Sequence, residues 1–225
     1  KFFKLRHLTV VCPECQTIFA TYEVARLPAI DLTTPIESDL HRILPDPELR
    51  SSLLAMCPNC IYTWWLSSFK EHFYLPQVVP DTPPTEPSKK FAHAVASGRK
   101  HNVHTLDRSV LALNGYWCAM EEGVDGSKFL SLAKNELATA LADSSWAGNR
   151  SRYNYVMGEI LRLSGEYDGA IKCYEKVDSA AGLPPELVAK MKEFALYGNK
   201  STVRLPPHIV GIIFNCAKAV NPATS

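Results

Sequence analysis

The apolar positions of this 225-residue chain change rhythm along its length. Over residues 1–75 they fall in short strand-like runs, Leu8–Val11, Ile18–Tyr22 and Ile61–Leu66. Between the second and third runs, residues 26–52 carry Pro28, Pro35, Pro45 and Pro47, which predicts a partly irregular excursion. Two stretches inside it, SDLHRIL and PDPELRSSLLAM, each suggest a short helix. Residues 76–90, PQVVPDTPPTEPSKK, hold five prolines in fifteen positions, a density that excludes helix and central strand and predicts an extended linker.

Beyond residue 91 the spacing becomes helical. One helix is expected from Val103 to Glu121, stopped by Gly123, and a second from Ser127 to Ala142 with Ser127 as N-cap. Asn149–Leu163 and Tyr167–Ser179 follow, separated near Gly165. LPPEL at 183–187 opens a fifth helix with proline where a missing N–H costs little. HIVGIIFNCAKAV, after Pro206 and Pro207, is a sixth and is apolar on most sides, as a buried helix is. The expected fold class is α+β. A small β domain spans 1–75 with an inserted segment at 26–52, a proline-rich linker spans 76–90, and an all-α domain spans 91–225.

Charge separates the halves very little. Residues 1–75 carry a net charge of −1, the remainder +2, and the whole chain +1. A chain so balanced has no general electrostatic pull toward phosphate backbones or anionic lipid. No run of about 18 apolar residues occurs, so no transmembrane helix is encoded. The opening KFFKLRHLTV lacks the apolar core and small-residue cleavage site of a signal peptide. It reads as the first strand of the cysteine-bearing domain, and its start on Lys1 rather than Met leaves the true beginning of the chain open.

The chemistry concentrates in cysteine. CPEC at 12–15 and CPNC at 57–60 form two Cys-Pro-x-Cys pairs with 41 residues between them. Two such turns present four thiolates, the shell that tetrahedral zinc takes in structural sites, so Cys12, Cys15, Cys57 and Cys60 are the expected ligands of a structural Zn2+, and in its mostly β setting the 1–75 domain is expected to be zinc-ribbon-like, ahead of an all-α helical-repeat domain. A redox dithiol would need a strand-to-helix βαβ setting that surrounds neither pair. Disulfides or an iron centre would draw on the same four thiols. The single cysteines Cys118, Cys173 and Cys216 leave an odd total of seven, which argues against a secreted disulfide framework and for a reducing, cytoplasmic setting. Proline after the first cysteine of each pair suits a turn. After the second cysteine, where glycine often supplies a positive φ, stand Gln16 and Ile61; a β-branched Ile resists that conformation, so the second knuckle is expected to differ or Ile61 to begin a strand.

His41 and His72 lie near the cysteines in sequence but are read as loop histidines, since four thiols already complete a shell. His101 and His104 are three apart and could share a helix face with His93 nearby, without an evident third ligand. The aromatic run Trp64, Trp65, Phe69, Phe73 and Tyr74 either stacks bases beside the ribbon or covers a small core; the absence of interleaved Lys/Arg favours the core.

Residues 153–177, YNYVMGEILRLSGEYDGAIKCYEKV, resemble one tetratricopeptide repeat (TPR). Gly158 and Ala170 stand at the family's small-residue positions, Gly165 and Tyr167 frame the turn, and Tyr174 is the aromatic of the second helix; Val177 replaces a small residue and Pro184 stands near the terminal proline. About two repeat-like units are expected, with the last helices as a cap. The whole layout resembles an uncharacterised bacterial family that joins a CPxC…CPxC zinc domain to TPR-like helices, departing from it at Gln16 and Ile61.

The sequence holds no GxGxxG, Walker-type loop, GxSxG or HExxH motif, and Glu159 and Glu166 read as surface carboxylates. The expected function is therefore a non-enzymatic protein–protein interaction or scaffold role, zinc-stabilised, within a larger assembly. The partner is another protein or protein complex, with partner-binding residues unknown and no membrane span. The alternative is a nucleic-acid-binding zinc ribbon.

Overall fold

The computed structural model describes residues 5–24, 35–44, 46, 48–72 and 86–220. The expected proline-rich segment at 76–85, the stretch 25–34 of the insertion, Phe73, Tyr74 and the side chain of Cys216 lie outside the described residues. The fold is mixed α+β, small antiparallel sheets followed by helices. It divides into two compact units. One comprises Lys1–Ala29 and Leu44–Phe129, the other Ile30–Ile43 and Leu130–Ser225.

In the first unit β1 (Leu5–Val11) and β2 (Ile18–Val24) form a hairpin in register from Leu5↔Val24 to Val11↔Ile18. A short helix α1 (Glu48–Ser51) precedes β3 (Leu54–Met56), which pairs with β4 (Thr63–Trp65). β5 (Lys70–Glu71) then returns to the free side of β1. The strand alternation of Leu8, Val10 and Cys12 points inward, where it meets Phe19, Ala55, Cys57 and Phe69. The third expected strand is shorter than its apolar run suggests, because Ile61 belongs to the turn before it and Leu66 opens a 3-10 turn after it.

The proline run does not reach as far as expected. Pro87 is already the first residue of α2 (Pro87–Lys100), a helix hidden in the sequence by the prolines before it. Its core residues Phe91, Ala94 and Val95 follow helical spacing and pack with Leu111, Ala112 and Ala119 of α3 (Thr105–Glu122). α2 also docks on β4. The Thr63 N–H donates to Ser97 Oγ at 3.0 Å, and a Cβ on Gly98 would stand 2.9 Å from the Trp64 ring. Only glycine lets the helix approach that ring so closely. α3 ends as expected at Gly123, with φ of 70°. Lys90, half-buried, donates from Nζ to Ser51 O at 3.0 Å.

α4 (Ser127–Ala142) matches its expected span, but the capping acceptor is Asp125, which takes the Ser127 N–H at 2.9 Å and the Ser127 hydroxyl at 2.8 Å. From Leu130 onward the chain belongs to the second unit, with α5 (Arg150–Ser164), α6 (Tyr167–Tyr174), α7 (Pro185–Leu196) and α8 (Pro207–Val220). Asn149 caps α5 by accepting the Arg152 N–H at 2.9 Å, and Gly165 ends it at φ of 87°. α6 stops five residues before the expected end at Ser179, and Ser179–Ala181 form a separate 3-10 turn capped by Asp178.

Glu159 is not a surface carboxylate. It is 2% exposed and pairs with Arg162, 0% exposed, at 2.7 Å. Tyr174 donates its hydroxyl to the same carboxylate, while Arg162 also donates to Asn199 O at 2.8 Å and Ser201 O at 2.9 Å. Burial works against the Arg162 charge, and the Glu159 carboxylate more than restores it. The i, i+3 spacing that makes Glu159 look like a solvated helix position is the spacing that lets Arg162 neutralise it inside the core. Glu166, by contrast, sits at the surface with Lys134 at 2.7 Å.

SDLHRIL forms no helix. Asp39 Oδ1 accepts the His41 N–H at 3.0 Å and Leu40 takes a left-handed φ of 65°. An Asp side chain that captures a backbone donor two residues on competes with the helical bond and favours a turn.

Candidate metal centre

Each cysteine pair closes a hairpin, CPEC between β1 and β2 and CPNC between β3 and β4. The two turns repeat one backbone pattern. Cys12 N–H donates to Thr17 O at 2.9 Å and Gln16 N–H to Cys12 O at 3.0 Å; Cys57 N–H donates to Tyr62 O at 2.9 Å and Ile61 N–H to Cys57 O at 3.0 Å. Gln16 and Ile61 take φ of 61° and 63°. The expectation that Ile61 would force a different second knuckle is therefore corrected: both knuckles use the left-handed position, and Ile61 adopts it against the preference of a β-branched side chain. The amide of that residue must turn back to the first cysteine of its pair, and a positive φ turns it there.

The four sulfurs converge. Cys12 Sγ stands 3.6 Å from Cys60 Sγ, and Cys15 Sγ 3.6 Å from Cys57 Sγ, with all four within 4.8 Å of one another. A tetrahedral cation with metal–sulfur bonds of about 2.3 Å has sulfur–sulfur edges of about 3.8 Å. The four expected ligands are thus close enough to hold a metal ion, and four thiolates fill a tetrahedral shell.

The variable residue of each pair has a task that sequence reasoning misses. Asn59, the x of CPNC, reaches the other knuckle and donates from Nδ2 to Cys15 Sγ at 3.6 Å and Thr17 Oγ1 at 3.2 Å. Glu14, the x of CPEC, pairs with Lys100 and lies 3.0 Å from His101 Nε2, so it ties the first knuckle to the end of α2. Its carboxyl is held below the usual range by the Lys100 ammonium. The Thr17 hydroxyl, with help from Asn59, draws the Cys15 thiol down to about 6, while burial raises Cys12. Polar groups that stabilise a thiolate beside the ligand set are what outer-shell partners of a metal supply.

The histidines fall outside this cluster. His101 caps the end of α2 and meets the Tyr62 ring edge-on at 5.3 Å. His104 caps α3 by accepting the Leu106 N–H on Nδ1 at 3.2 Å, so the two occupy different helix ends rather than one face. His72 donates its backbone N–H to Thr9 O at 2.8 Å. His41 is buried in the second unit, in a group with Glu37 and Asp39. Of the aromatic run, Trp64 and Phe69 serve the first unit's interior. Phe69 is buried against Phe19 and Tyr62, and Trp64 lies on Gly98.

None of Cys12, Cys15, Cys57, Cys60, Cys118 and Cys173 is in a disulfide. Among the described residues no helix is long and apolar enough to cross a membrane. No family model, curated protein or solved structure matches the chain.

Proposed function

We propose that this chain is a non-enzymatic interaction or scaffold protein, stabilised by structural zinc and built into a larger protein assembly. The observation that carries this reading is the end of α7, where Leu196 and Tyr197 are adjacent and 64% and 80% exposed. Two consecutive large side chains, one apolar and one aromatic, so open to water support a surface that another protein covers. Zinc as the cation rests on the all-thiolate donor set and on sulfur edges near the tetrahedral value. A closed shell offers substrate no coordination position, which favours a structural part for the metal.

The TPR-like reading of α5 and α6 draws on their packing. A Cβ on Gly158 would come within 2.5 Å of the Tyr174 ring, and Ala170 is fully buried, so small residues admit close helix contact where that repeat requires it. The alternative, nucleic-acid binding by the ribbon, draws less support, since Tyr62, Trp64 and Phe69 already pack within the first unit.

Leu196→Asp with Tyr197→Asp tests the reading in the full chain. The double variant is expected to keep its metal content and helical circular dichroism while losing a stoichiometric partner that the unaltered chain retains in native mass measurement. A partner retained undiminished removes this surface from the proposal. Salt-sensitive retention on RNA or DNA in place of a protein partner would favour the alternative.

A further inference from the structure

Residues 35–43 of the second unit form a small hairpin with chemistry of its own. Ile36 bridges Arg42, the Glu37 N–H donates to His41 O at 2.9 Å, and the Leu40 N–H donates to Glu37 O at 2.9 Å. Ser38, Asp39 and Leu40 are thus a three-residue loop whose last position takes the left-handed conformation, here by leucine where glycine is usual. Such a loop places Glu37 and His41 directly opposite each other at its neck, with Asp39 at the tip. One ligand-type atom from each of the three lies within 4.8 Å of the others. Asp39 and His41 are both 7% exposed and Glu37 is half-buried.

The hairpin is fixed from several sides. Ser38 N–H donates to Val203 O at 2.8 Å and Leu205 N–H to Ile36 O at 2.8 Å. Tyr155 donates its hydroxyl to Ser38 O at 2.6 Å, and Thr202 donates its hydroxyl to Glu37 Oε2 at 2.5 Å. These bonds restrain the backbone and one ligand carboxylate, as outer-shell partners do around a metal. Asp39 Oδ1 also accepts the His41 N–H at 3.0 Å, so the loop itself holds two of the three groups, both buried, where their ligand atoms converge with that of Glu37.

We propose that Glu37, Asp39 and His41 form a second cation site, distinct from the four cysteines, for a borderline divalent transition cation of the Zn2+ or Co2+ type. Two carboxylates and one imidazole are nitrogen and oxygen donors that suit such a cation, and the imidazole disfavours Mg2+ and Ca2+. Bonds of about 2.0–2.2 Å would draw the three ligand atoms inside the 4.8 Å within which they lie. Three protein ligands leave a position for water or an oxygen ligand, unlike the closed thiolate shell.

The probe is Co2+, titrated into the full chain already carrying one equivalent of zinc. The expected result is one further equivalent bound, with weak ligand-field bands and without thiolate-to-cobalt charge transfer, and zinc retained. Glu37→Gln and Asp39→Asn should each weaken that second binding at least tenfold with the first equivalent of zinc unchanged. Glu37→Gln, at the half-buried ligand with its shape preserved, decides the matter if Asp39→Asn loses helical circular dichroism. No cobalt beyond the zinc equivalent, cobalt bound only by displacing zinc from the thiolates, or unaltered cobalt binding by Glu37→Gln overturns the proposal.

Discussion

The sheets of the first unit gather a core cluster of seven buried residues, two of them cysteines, whereas the helices of the second unit enclose a neutralised ion pair among aromatic and aliphatic side chains. Short two- and three-stranded sheets present little apolar surface, so a cation held by the four thiolates would supply cohesion that their side chains lack. A set of helices has apolar surface enough, and can bury Glu159 and Arg162 provided every donor and acceptor around them is satisfied. Loss of one anchoring group should therefore be local to its unit, and different in kind in each.

Removal of the metal should have the largest effect. Stripping the cation with a chelator, or Cys57→Ser, is expected to destabilise the first unit by upwards of about 5 kcal/mol, since metal binding in small thiolate sites is folding free energy. Hydrogen exchange should show protection lost at Val10, Phe19 and Met56 but kept at Tyr155 and Ile160. Equal loss in both units would mean that the thiolate centre holds the whole chain together.

The converse experiment is Arg162→Ala. It leaves the Glu159 carboxylate buried without its guanidinium and frees the carbonyls of Asn199 and Ser201, so a loss of about 3–5 kcal/mol is expected. Protection should fall in α5, α6 and the 199–201 segment while metal content stays at its original value. Arg162→Ala together with Glu159→Leu should recover much of the loss, because the charge is removed along with its partner.

What can be read from the sequence follows the same division. The turn within each cysteine pair, the ends of α3 at Gly123 and of α5 at Gly165, and the proline starts of α7 and α8 are each set by residues a few positions away, so pattern alone locates them. Glu159 reads as a surface group because its burial depends on Arg162 together with carbonyls nearly forty residues downstream. α2 escapes the pattern because Pro87 reads equally as the end of a proline run and the first residue of a helix. The roles of Glu14 and Asn59 in the metal centre depend on what lies opposite each knuckle, which spacing within a CxxC pair does not encode.

Lys90 gives the first unit a pH dependence of its own. Burial lowers its pKa to about 8, against an ordinary value near 10.5, so between these the unfolded chain binds more protons than the folded one. Its contribution is a cost fully present below pH 8 that is relieved as pH rises toward 10.5. Lys90→Met should therefore stabilise the first unit by about 2 kcal/mol at pH 7, partial exposure being allowed for, and the gain over the unaltered chain should shrink by about pH 10. A gain that is constant with pH would assign the effect to packing instead of charge.

The smallest expected effect lies at Ile61. A left-handed conformation costs a residue with a Cβ about 1–2 kcal/mol, and a β-branched one at the upper end. Ile61 is also 41% exposed, so burial returns little of that strain. Ile61→Gly should relieve the strain but enlarge the freedom of the unfolded chain, leaving a net gain of about 0.5–1 kcal/mol confined to the first unit. Gln16→Gly, the equivalent change in the first knuckle, should gain less, since an unbranched side chain starts from lower strain. Chemical denaturation of the metal-loaded chain followed at Trp64 and Trp65 measures both. If Ile61→Gly destabilises instead, the branched side chain at the knuckle tip shields the sulfur cluster by more than the backbone strain costs, and a faster loss of metal to a competing chelator would accompany the change.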